Sequence, residues 1–296
     1  MMNFINLYLI PALAIGSIYA LGASGISAIF GILRFAHFAH GDLMTVGAYG
    51  TLAAVLASGL PPLAALPFGI ALAVVAALAA DRFFYKPLRR LPTIYTVIAS
   101  FGVALIFRSL MQLSFGAQDQ VFVEGVQRPL LLPFGLRLSL VHAQAIALAC
   151  LIALALHLLL TRTRMGRAMR AVADDADLAL ASGLDPERVV RWTWIIGAVL
   201  AATAGTLAGM DTDVHPNLGW NLVLAMFAAA ILGGIGRPMG AIAGGFIIGL
   251  AEELSSYPWL GDGALISPGY KSAVAFFIMV VLLIFRPQGL FKGRLL

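Results

Sequence analysis

Long stretches without a charged residue most constrain what this chain can fold into. Residues 61–80, 141–160 and 4–33 contain no Asp, Glu, Lys or Arg. About 20 consecutive apolar residues are enough to cross a bilayer as a helix. Lipid cannot hydrogen-bond a free backbone, so spanning segments are helices or closed barrels. Only 11% of the 296 residues are charged and the mean hydropathy is +0.95. The sequence therefore predicts an all-α polytopic membrane protein.

Hydropathy divides the chain into nine apolar segments. They lie near residues 5–30, 43–59, 61–81, 93–114, 141–160, 190–210, 221–236, 238–256 and 266–286. The two segments within 221–256 are short, so they could together form one interrupted or re-entrant element. We therefore expect a bundle of eight or nine transmembrane helices in one domain, residues 1–296. The N-terminus lacks the Lys and Arg of a signal peptide and is expected to be retained as the first span.

The basic residues predict how the chain is oriented. Thirteen of the 19 Lys and Arg residues lie in three groups, at 82–90, 162–191 and 286–294. Cytoplasmic loops of membrane proteins are enriched in Lys and Arg, so these regions, including the C-terminus, are expected in the cytoplasm. Segments 115–139 and 211–220 carry no such excess and are expected outside. Orientation thus explains the net charge of +5, and no nucleic-acid partner is expected.

Motifs for catalysis and nucleotide binding are missing from the sequence. It contains no GxxxxGK[ST], HExxH or GxSxG pattern, and Cys150 is its single cysteine. His37, His40 and Asp42 offer too few ligands for a zinc site, which normally uses three or four. We expect no catalytic residue, metal or cofactor in this chain. Energy for any pumping would have to come from another polypeptide.

Two glycine-centred interruptions, Arg34–Asp42 and Gly233–Pro238, fall in the two halves of the chain. Interrupted hydrophobic segments in corresponding halves point to a transporter's binding site, because they free backbone groups that lipid cannot satisfy. The candidate substrate-path residues are His37, His40, Gly41, Asp42, Gly233, Gly234 and Gly236. The alternative for the first interruption is a tight cytoplasmic turn, with His37 and His40 at the interface as structural hydrogen-bond partners.

Asp42 is expected to cap a helix that begins near Leu43, by accepting a bond from the N–H group of Thr45 or Val46. Gly41 is then expected at the point where the chain turns. Four other glycines are expected to serve helix packing, namely Gly240, Gly244, Gly245 and Gly249. Glu252 and Glu253 are expected to snorkel to the interface at an outer span end.

Residues 161–191 form the one long hydrophilic stretch and predict a helix, a stop and a second helix. Gly183 suits the left-handed position after the first helix, and Asp185 can cap the second, with Pro186 in its first turn. The first helix has its basic residues before its acidic ones, opposite to the preference of the helix dipole. Either these charges are aimed at a partner or the helix is an ordinary solvated one.

Four stretches together are characteristic of a known family. They are residues 16–49 with FAHGD, 165–192, 227–250 with GGIGRPMGA, and 273–291. In these stretches the chain resembles the LivH-type inner-membrane permease subunits of branched-chain amino-acid ABC importers. The resemblance implies a bacterial inner-membrane protein that transports branched-chain or related amino acids. Similar permeases for urea or short amides are the alternative.

The resemblance also implies partners. They are a second homologous permease, two cytoplasmic ATPase subunits and an external substrate-binding protein. Residues 165–183 would be the helix that docks on an ATPase. The candidate coupling residues are Arg170, Asp174, Asp175, Asp177, Ala179 and Gly183. Two rival hypotheses remain: a stand-alone transporter with His37, His40 and Asp42 as a proton site, and a membrane enzyme that uses His and Asp.

Overall fold

A computed structural model describes residues 2–123, 125, 129–132, 135–259 and 266–291. Within these ranges the chain forms eleven helices of six or more residues and one short β-hairpin. The all-α architecture predicted from hydropathy is thereby confirmed for the apolar segments. Four charged residues used in the orientation argument lie outside the described ranges, namely Glu124, Arg128, Lys292 and Arg294.

We number the helices in chain order. They are α1 (Ile10–Leu33), α2 (Ala39–Ser58), α3 (Pro62–Ala80), α4 (Thr93–Phe115), α5 (Leu140–Arg162), α6 (Arg164–Asp174), α7 (Ala176–Ala181), α8 (Pro186–Asp211), α9 (Leu218–Gly233), α10 (Pro238–Ser255) and α11 (Lys271–Phe285). A π-helical turn, Ile5–Leu9, leads into α1, and another, Asp81–Tyr85, extends α3. The hairpin pairs β1 (Leu130–Leu132) with β2 (Leu136–Leu138) in antiparallel register.

Nine of these helices coincide with the nine apolar segments. In the described part of the chain, five are long and apolar enough to cross a membrane: α1 and α3 with their extensions, α4, α5 and α8. Helices α9 and α11 are apolar but shorter. The segments within 221–256 form two separate helices, α9 and α10, which pack against each other. Whether they cross the membrane as two spans or form one re-entrant element stays a prediction, as does the count of eight or nine crossings.

Helices α1 and α8 form the centre of the bundle. In their most apolar windows, 72% of α1 and 83% of α8 is buried, against 17% of α5. Helix α1 packs along α10, α8 and α9, while α2 packs on α3, α8 and α4. Small residues permit these close approaches: Gly249 and Gly245 of α10 lie against Gly16 and Ala20 of α1. The packing role predicted for Gly245 and Gly249 is confirmed.

The predicted cytoplasmic regions contact one another at one end of the molecule. Lys86 and Arg89, after α3, pair with Glu187 at the start of α8, at 2.9 and 2.8 Å. Arg34, after α1, donates to the carbonyl of Ala173 at the end of α6 (3.2 Å).

The predicted external regions also contact one another. Gln120 and Val214 form an isolated antiparallel bridge. His142 lies 2.9 Å from Asp211, and the backbone N–H of Arg137 donates to Asn6. Loops that were predicted to share a side of the membrane thus contact one another in the structure.

The hydrophilic segment contains two short helices where one was predicted before Gly183. The Asp175 carboxylate accepts bonds from the N–H groups of Asp177 (3.0 Å) and Leu178 (2.9 Å), so it ends α6 and caps α7. A single helix through this stretch was a wrong prediction, because the carboxylate competes for those backbone groups. Gly183 (φ 84°) follows α7 as predicted, and Asp185 caps α8 through Glu187 N–H (3.0 Å).

Candidate transport site

The first interruption lies between α1 and α2 and is shorter than predicted. Helix α1 ends at Leu33, and Arg34 takes a left-handed conformation (φ 55°). Helix α2 already begins at Ala39, whose N–H donates to Ser100 Oγ of α4 (3.0 Å). The predicted start near Leu43 is therefore wrong. Gly41 lies inside the first turn of α2 and not where the chain reverses.

Asp42 forms a buried ion pair with Arg108 of α4. Its two carboxylate oxygens accept from Arg108 Nε at 2.9 Å and Nη2 at 3.2 Å. The Asp42 side chain has no exposed surface, and that of Arg108 is 16% exposed. The predicted cap on Thr45 or Val46 is wrong. In a membrane an ionised carboxylate gains more from a bidentate guanidinium than from one or two amides.

The pair sits within the span of α4. Arg108 comes 15 residues after Thr93 and seven before Phe115, the ends of α4. At 1.5 Å per residue it is about 22 Å from one end and about 10 Å from the other. Its guanidinium lies over the Trp220 ring of α9, 4.7 Å from the centroid, in cation–π geometry. Sequence analysis did not identify Arg108 or Trp220.

Helix α9 begins against α2, near the C-terminal end of α8. Gly219 N–H donates to Thr45 Oγ1 at 3.0 Å, and a Cβ placed on Gly41 would lie 2.5 Å from Gly219 O. The neighbouring Met44 contacts Gly205 of α8. Gly205 is six residues, about 9 Å, before the end of α8 at Asp211. The start of α9 therefore lies level with Gly205, and not with the C-terminal end of α8.

His37 and His40 are buried among aromatic and small residues. His37 Nε2 lies 3.1 Å from Tyr85 Oη, and its ring centroid is 5.0 Å from that of Trp194. The His40 ring lies 5.9 Å from that of His37 and against Gly25 of α1, where a Cβ would be 2.6 Å from His40 Cε1. The two rings are 2% and 0% exposed. In this conformation they brace the interruption and do not face an open channel.

The second interruption is a tight turn between α9 and α10. Gly234 and Gly236 have positive φ values of 94° and 84°, and Arg237 N–H donates to Gly234 O (3.1 Å). Gly233 lies against Gly240, so the two helices approach backbone to backbone. The turn packs on the end of α1, where a Cβ on Gly31 would be 3.2 Å from Gly236 O.

Only some of the predicted path residues lie at the two ends of α9. Gly41 lies against Gly219 in its first turn, and Asp42 reaches that turn through Arg108 and Trp220. Gly233, Gly234 and Gly236 form its end and the turn that follows. His37 and His40 instead contact residues of α1, α8 and the extension of α3. The C-terminal segment packs on the end of α9 and on the turn that follows it. There Leu290 N–H donates to Leu232 O (2.8 Å), and Arg237 donates to Phe291 O (2.5 Å).

A largely apolar cavity of about 440 Å³ lies beside the second turn. It is lined by residues of the α1 end, the turn, the second half of α6 and the C-terminal segment, including Gly31, Gly236, Arg237, Arg170 and Phe291. Arg170 donates to the carbonyl of Leu160 at the end of α5. Of the predicted coupling residues, Arg170 thus connects α6 to the membrane helices.

The other predicted coupling residues divide into structural and exposed ones. Asp175 and Gly183 shape α7 as cap and terminator, and Asp174 and Asp177 are exposed. Ala179 is 4% exposed and packs inward, so its expected place on a docking face is wrong. The exposed large hydrophobic residues of α7 are Leu178 and Leu180, at 65% and 59% exposure. Sequence analysis passed over them, although two leucines in a charged segment were a visible signal.

Two further polar groups of α10 differ in their surroundings. Glu253 pairs with Lys271 at 2.8 Å. Glu252 is 4% exposed and accepts from the Tyr19 hydroxyl of α1 at 2.7 Å. The expectation that Glu252 snorkels to the interface is therefore wrong, because Tyr19 supplies a donor inside the bundle. Among the described residues, no group of three or more His, Cys, Asp or Glu could hold a metal ion.

Comparison with known proteins gives a consistent result. Residues 8–283 match the family model described as branched-chain amino acid transport system / permease component. The chain is 32% identical to the high-affinity branched-chain amino acid transport system permease protein LivH of Escherichia coli, over 93% of this chain and 92% of LivH. It is 30% identical to BraD of Pseudomonas aeruginosa, a permease protein of the same description, over 95% and 94%.

Two other similarities are more distant. The chain is 31% identical to the permease protein LivM of E. coli over 138 residues, which is 44% of this chain and 29% of LivM. Among solved structures, PsaBC from Streptococcus pneumoniae in complex with Fab contains a similar chain. The TM-score is 0.54 at 13% identity, over 97% of this chain and 95% of that one. At that identity the likeness shows a shared fold.

Proposed function

The chain belongs to the permease family of branched-chain amino acid transport systems, and from that premise we propose that it is the transmembrane subunit of an ATP-driven importer for branched-chain or related amino acids. The observation that carries this proposal is the family match over residues 8–283. The match includes both interruptions and, apart from the first residues of the span Ile5–Leu33, the membrane-length helices of the described chain. The chain, residues 1–296, acts as a single permease domain that forms the translocation path and leaves ATP hydrolysis to partners.

The assembly has four kinds of subunit. This chain pairs with a homologous permease, two cytoplasmic ATPase subunits drive the pair, and an external binding protein delivers the amino acid. The protein lies in a bacterial inner membrane, with α6, α7 and the C-terminus in the cytoplasm. The similarity to both LivH and LivM supports a pair of related permeases. The orientation is supported by the contacts that bring the basic loops together at one end of the molecule.

In this assembly α9 transmits motion between the two interruptions. Its first turn is held by Thr45 and lies against Gly41, close to the Asp42–Arg108 pair. Its last turn runs into Gly233–Gly236. A rigid helix of 16 residues is about 24 Å long. A shift at the cytoplasmic turn would therefore move the wall beside Asp42 with little loss of amplitude.

Helix α7 supplies the contact with an ATPase subunit. Its exposed Leu178 can enter an apolar groove, and Asp177 can meet basic residues at the rim. Force on α7 passes to α6, which reaches the first interruption through Arg34 and the cavity beside the second through Arg170. Docking is thus connected by direct contacts to the end of α1 and to the turn after α9.

Uptake in cells tests this proposal. The chain is expressed with the partner subunits in a strain without its own branched-chain transport, and entry of labelled leucine is measured. Excess isoleucine or valine should compete, whereas urea and acetamide should not. Entry of labelled urea or acetamide, without entry of leucine, would contradict the proposal and show that the chain serves a permease for urea or short amides.

A further inference from the structure

The exposed faces of the helices differ in chemistry. Between residues 147 and 155 the exposed side chains of α5 are all apolar or small, namely Ala147, Cys150, Leu151, Leu154 and Ala155, and an exposed polar residue, His157, follows only near the end of the helix. Leu151 and Leu154 are 62% and 57% exposed. Helix α11 likewise exposes Phe276, Phe277 and Ile284. Such faces match the hydrocarbon of a bilayer.

The face formed by α4 and α9 is not of this kind. At intervals of three or four residues α4 presents Phe101, Leu105, Arg108 and Gln112, which share one side of a helix. Helix α9 adds the exposed Trp220, Asn221 and Leu224, and of these Trp220 contacts Phe101 and Arg108. We call these seven residues the α4–α9 seam.

Lipid is a poor partner for this seam. Arg108 is partly exposed about 10 Å inside the end of α4, and Asn221 and Gln112 are exposed. Hydrocarbon cannot hydrogen-bond a guanidinium or an amide, and ionisable residues inside membranes face protein or a water-filled cavity. Asp42 engages Nε and Nη2 of Arg108, which leaves further guanidinium N–H donors to be satisfied. The seam must therefore be covered by protein, water or both.

We propose that the homologous permease subunit packs on the α4–α9 seam and that the Asp42–Arg108 pair lines the water-filled path between the two subunits. This inference rests on the proposed function and adds to it the interface and the polar group of the path. Two related subunits that pair about a pseudo-twofold axis offer each other corresponding faces. Leu105, Leu224 and Trp220 supply the apolar and aromatic surface typical of an interface. Arg108 supplies a donor for a passing carboxylate.

Photo-crosslinking of the intact assembly tests the interface. Benzoylphenylalanine replaces Leu105 or Leu224 in the seam, and Leu154 of α5 serves as the matched exposed control. After illumination of membrane vesicles that hold all subunits, the two seam positions should form an adduct with the second permease, and Leu154 should not. Adducts from Leu154 alone, or none from the seam while the permeases still co-purify, would overturn the proposal.

Thiol accessibility tests the water-filled path. In a Cys150→Ser background, Asn221→Cys should react with a charged methanethiosulfonate at least about tenfold faster than Leu154→Cys, because the reagent needs water. Equal rates would refute the path. Neither measurement requires leucine transport. A normal crosslink with no leucine uptake would therefore sink the proposed substrate and keep the interface, and the reverse result would do the opposite.

Discussion

At the scale of single residues, the Asp42–Arg108 pair is the most consequential contact in the molecule. It joins α2 to α4 within the span of α4, and the Arg108 guanidinium lies over the Trp220 ring. Removing one partner of a buried pair is costly because the other charge is left alone, whereas removing both costs much less. The pair therefore acts as one unit, and its members cannot be exchanged separately.

A double-mutant cycle should show this coupling. Asp42→Asn alone should destabilise the purified assembly by about 3–5 kcal/mol, because the Arg108 charge loses its partner. Asp42→Asn combined with Arg108→Gln should recover most of that loss. Thermal unfolding in detergent measures all four proteins. Additive losses would mean that the two side chains do not interact.

Gly41 should tolerate no side chain. A Cβ there would lie 2.5 Å from Gly219 O, which is backbone and cannot move aside. Gly41→Ala should lower the amount of folded protein in the membrane, as judged by size-exclusion chromatography of a fluorescent fusion. Gly102→Ala is the matched control, since α4 leaves open space at that position. Equal yields for the two variants would contradict the close approach of α2 and α9.

Sequence analysis found Asp42 but not its partner, for a physical reason. Interruptions and charges in apolar stretches are visible in the sequence, so His37, His40 and Asp42 stood out. Arg108 is 66 positions away from Asp42, and only packing decides that they meet. Yet Arg108 is the one charge in the predicted span 93–114. A charge inside a span requires a counter-charge, and that signal would have led to it.

At the scale of elements, the hydropathy pattern was sufficient for helix positions and insufficient for helix boundaries. All nine apolar segments are helices. The start of α2 was misplaced because Ser100 of α4 accepts the Ala39 N–H, a tertiary bond that no local pattern contains. The division of α6 from α7 follows from the local cap at Asp175. That cap was accessible from the sequence, since Asp is a preferred N-cap residue.

Helix α7 gives the sharpest test at this scale. Leu178→Arg should abolish binding-protein-stimulated ATP hydrolysis while the permease still inserts, because a charge replaces the apolar side chain that enters the ATPase groove. Leu178→Met keeps an apolar side chain at the same place and should retain most of the activity. The ATPase rate of reconstituted assemblies is the measurement. If Leu178→Arg hydrolyses ATP normally, α7 is a solvated helix and the docking surface lies elsewhere.

At the scale of the whole molecule, the contacts divide the chain into two ends. Arg34, Lys86 and Arg89 reach α6 and the start of α8 at one end. The Gln120–Val214 bridge and His142–Asp211 mark the other. The sequence sufficed for this division, because loop charge and span order determine it without knowledge of side-chain packing.

Cysteine labelling should assign the two ends to the two sides of the membrane. In a Cys150→Ala background, Ser182→Cys after α7 should react with an impermeant maleimide only from the cytoplasmic side. Ala117→Cys after α4 should react only from outside, since both positions are exposed. Right-side-out and inverted vesicles make the comparison. Labelling of both cysteines from the same side would contradict the orientation.

The central claim is that this chain is the path subunit of a transporter driven by partner ATPases, and reconstituted uptake tests it most directly. The chain, the second permease and both ATPases are placed in proteoliposomes, with binding protein and labelled leucine on the side opposite the ATPases. Leucine should cross when ATP is supplied to the ATPases, and it should not cross when the ATPases are omitted or inactive. Leucine accumulation by this chain alone, driven by a proton gradient without ATPases, would contradict the claim and favour a secondary transporter.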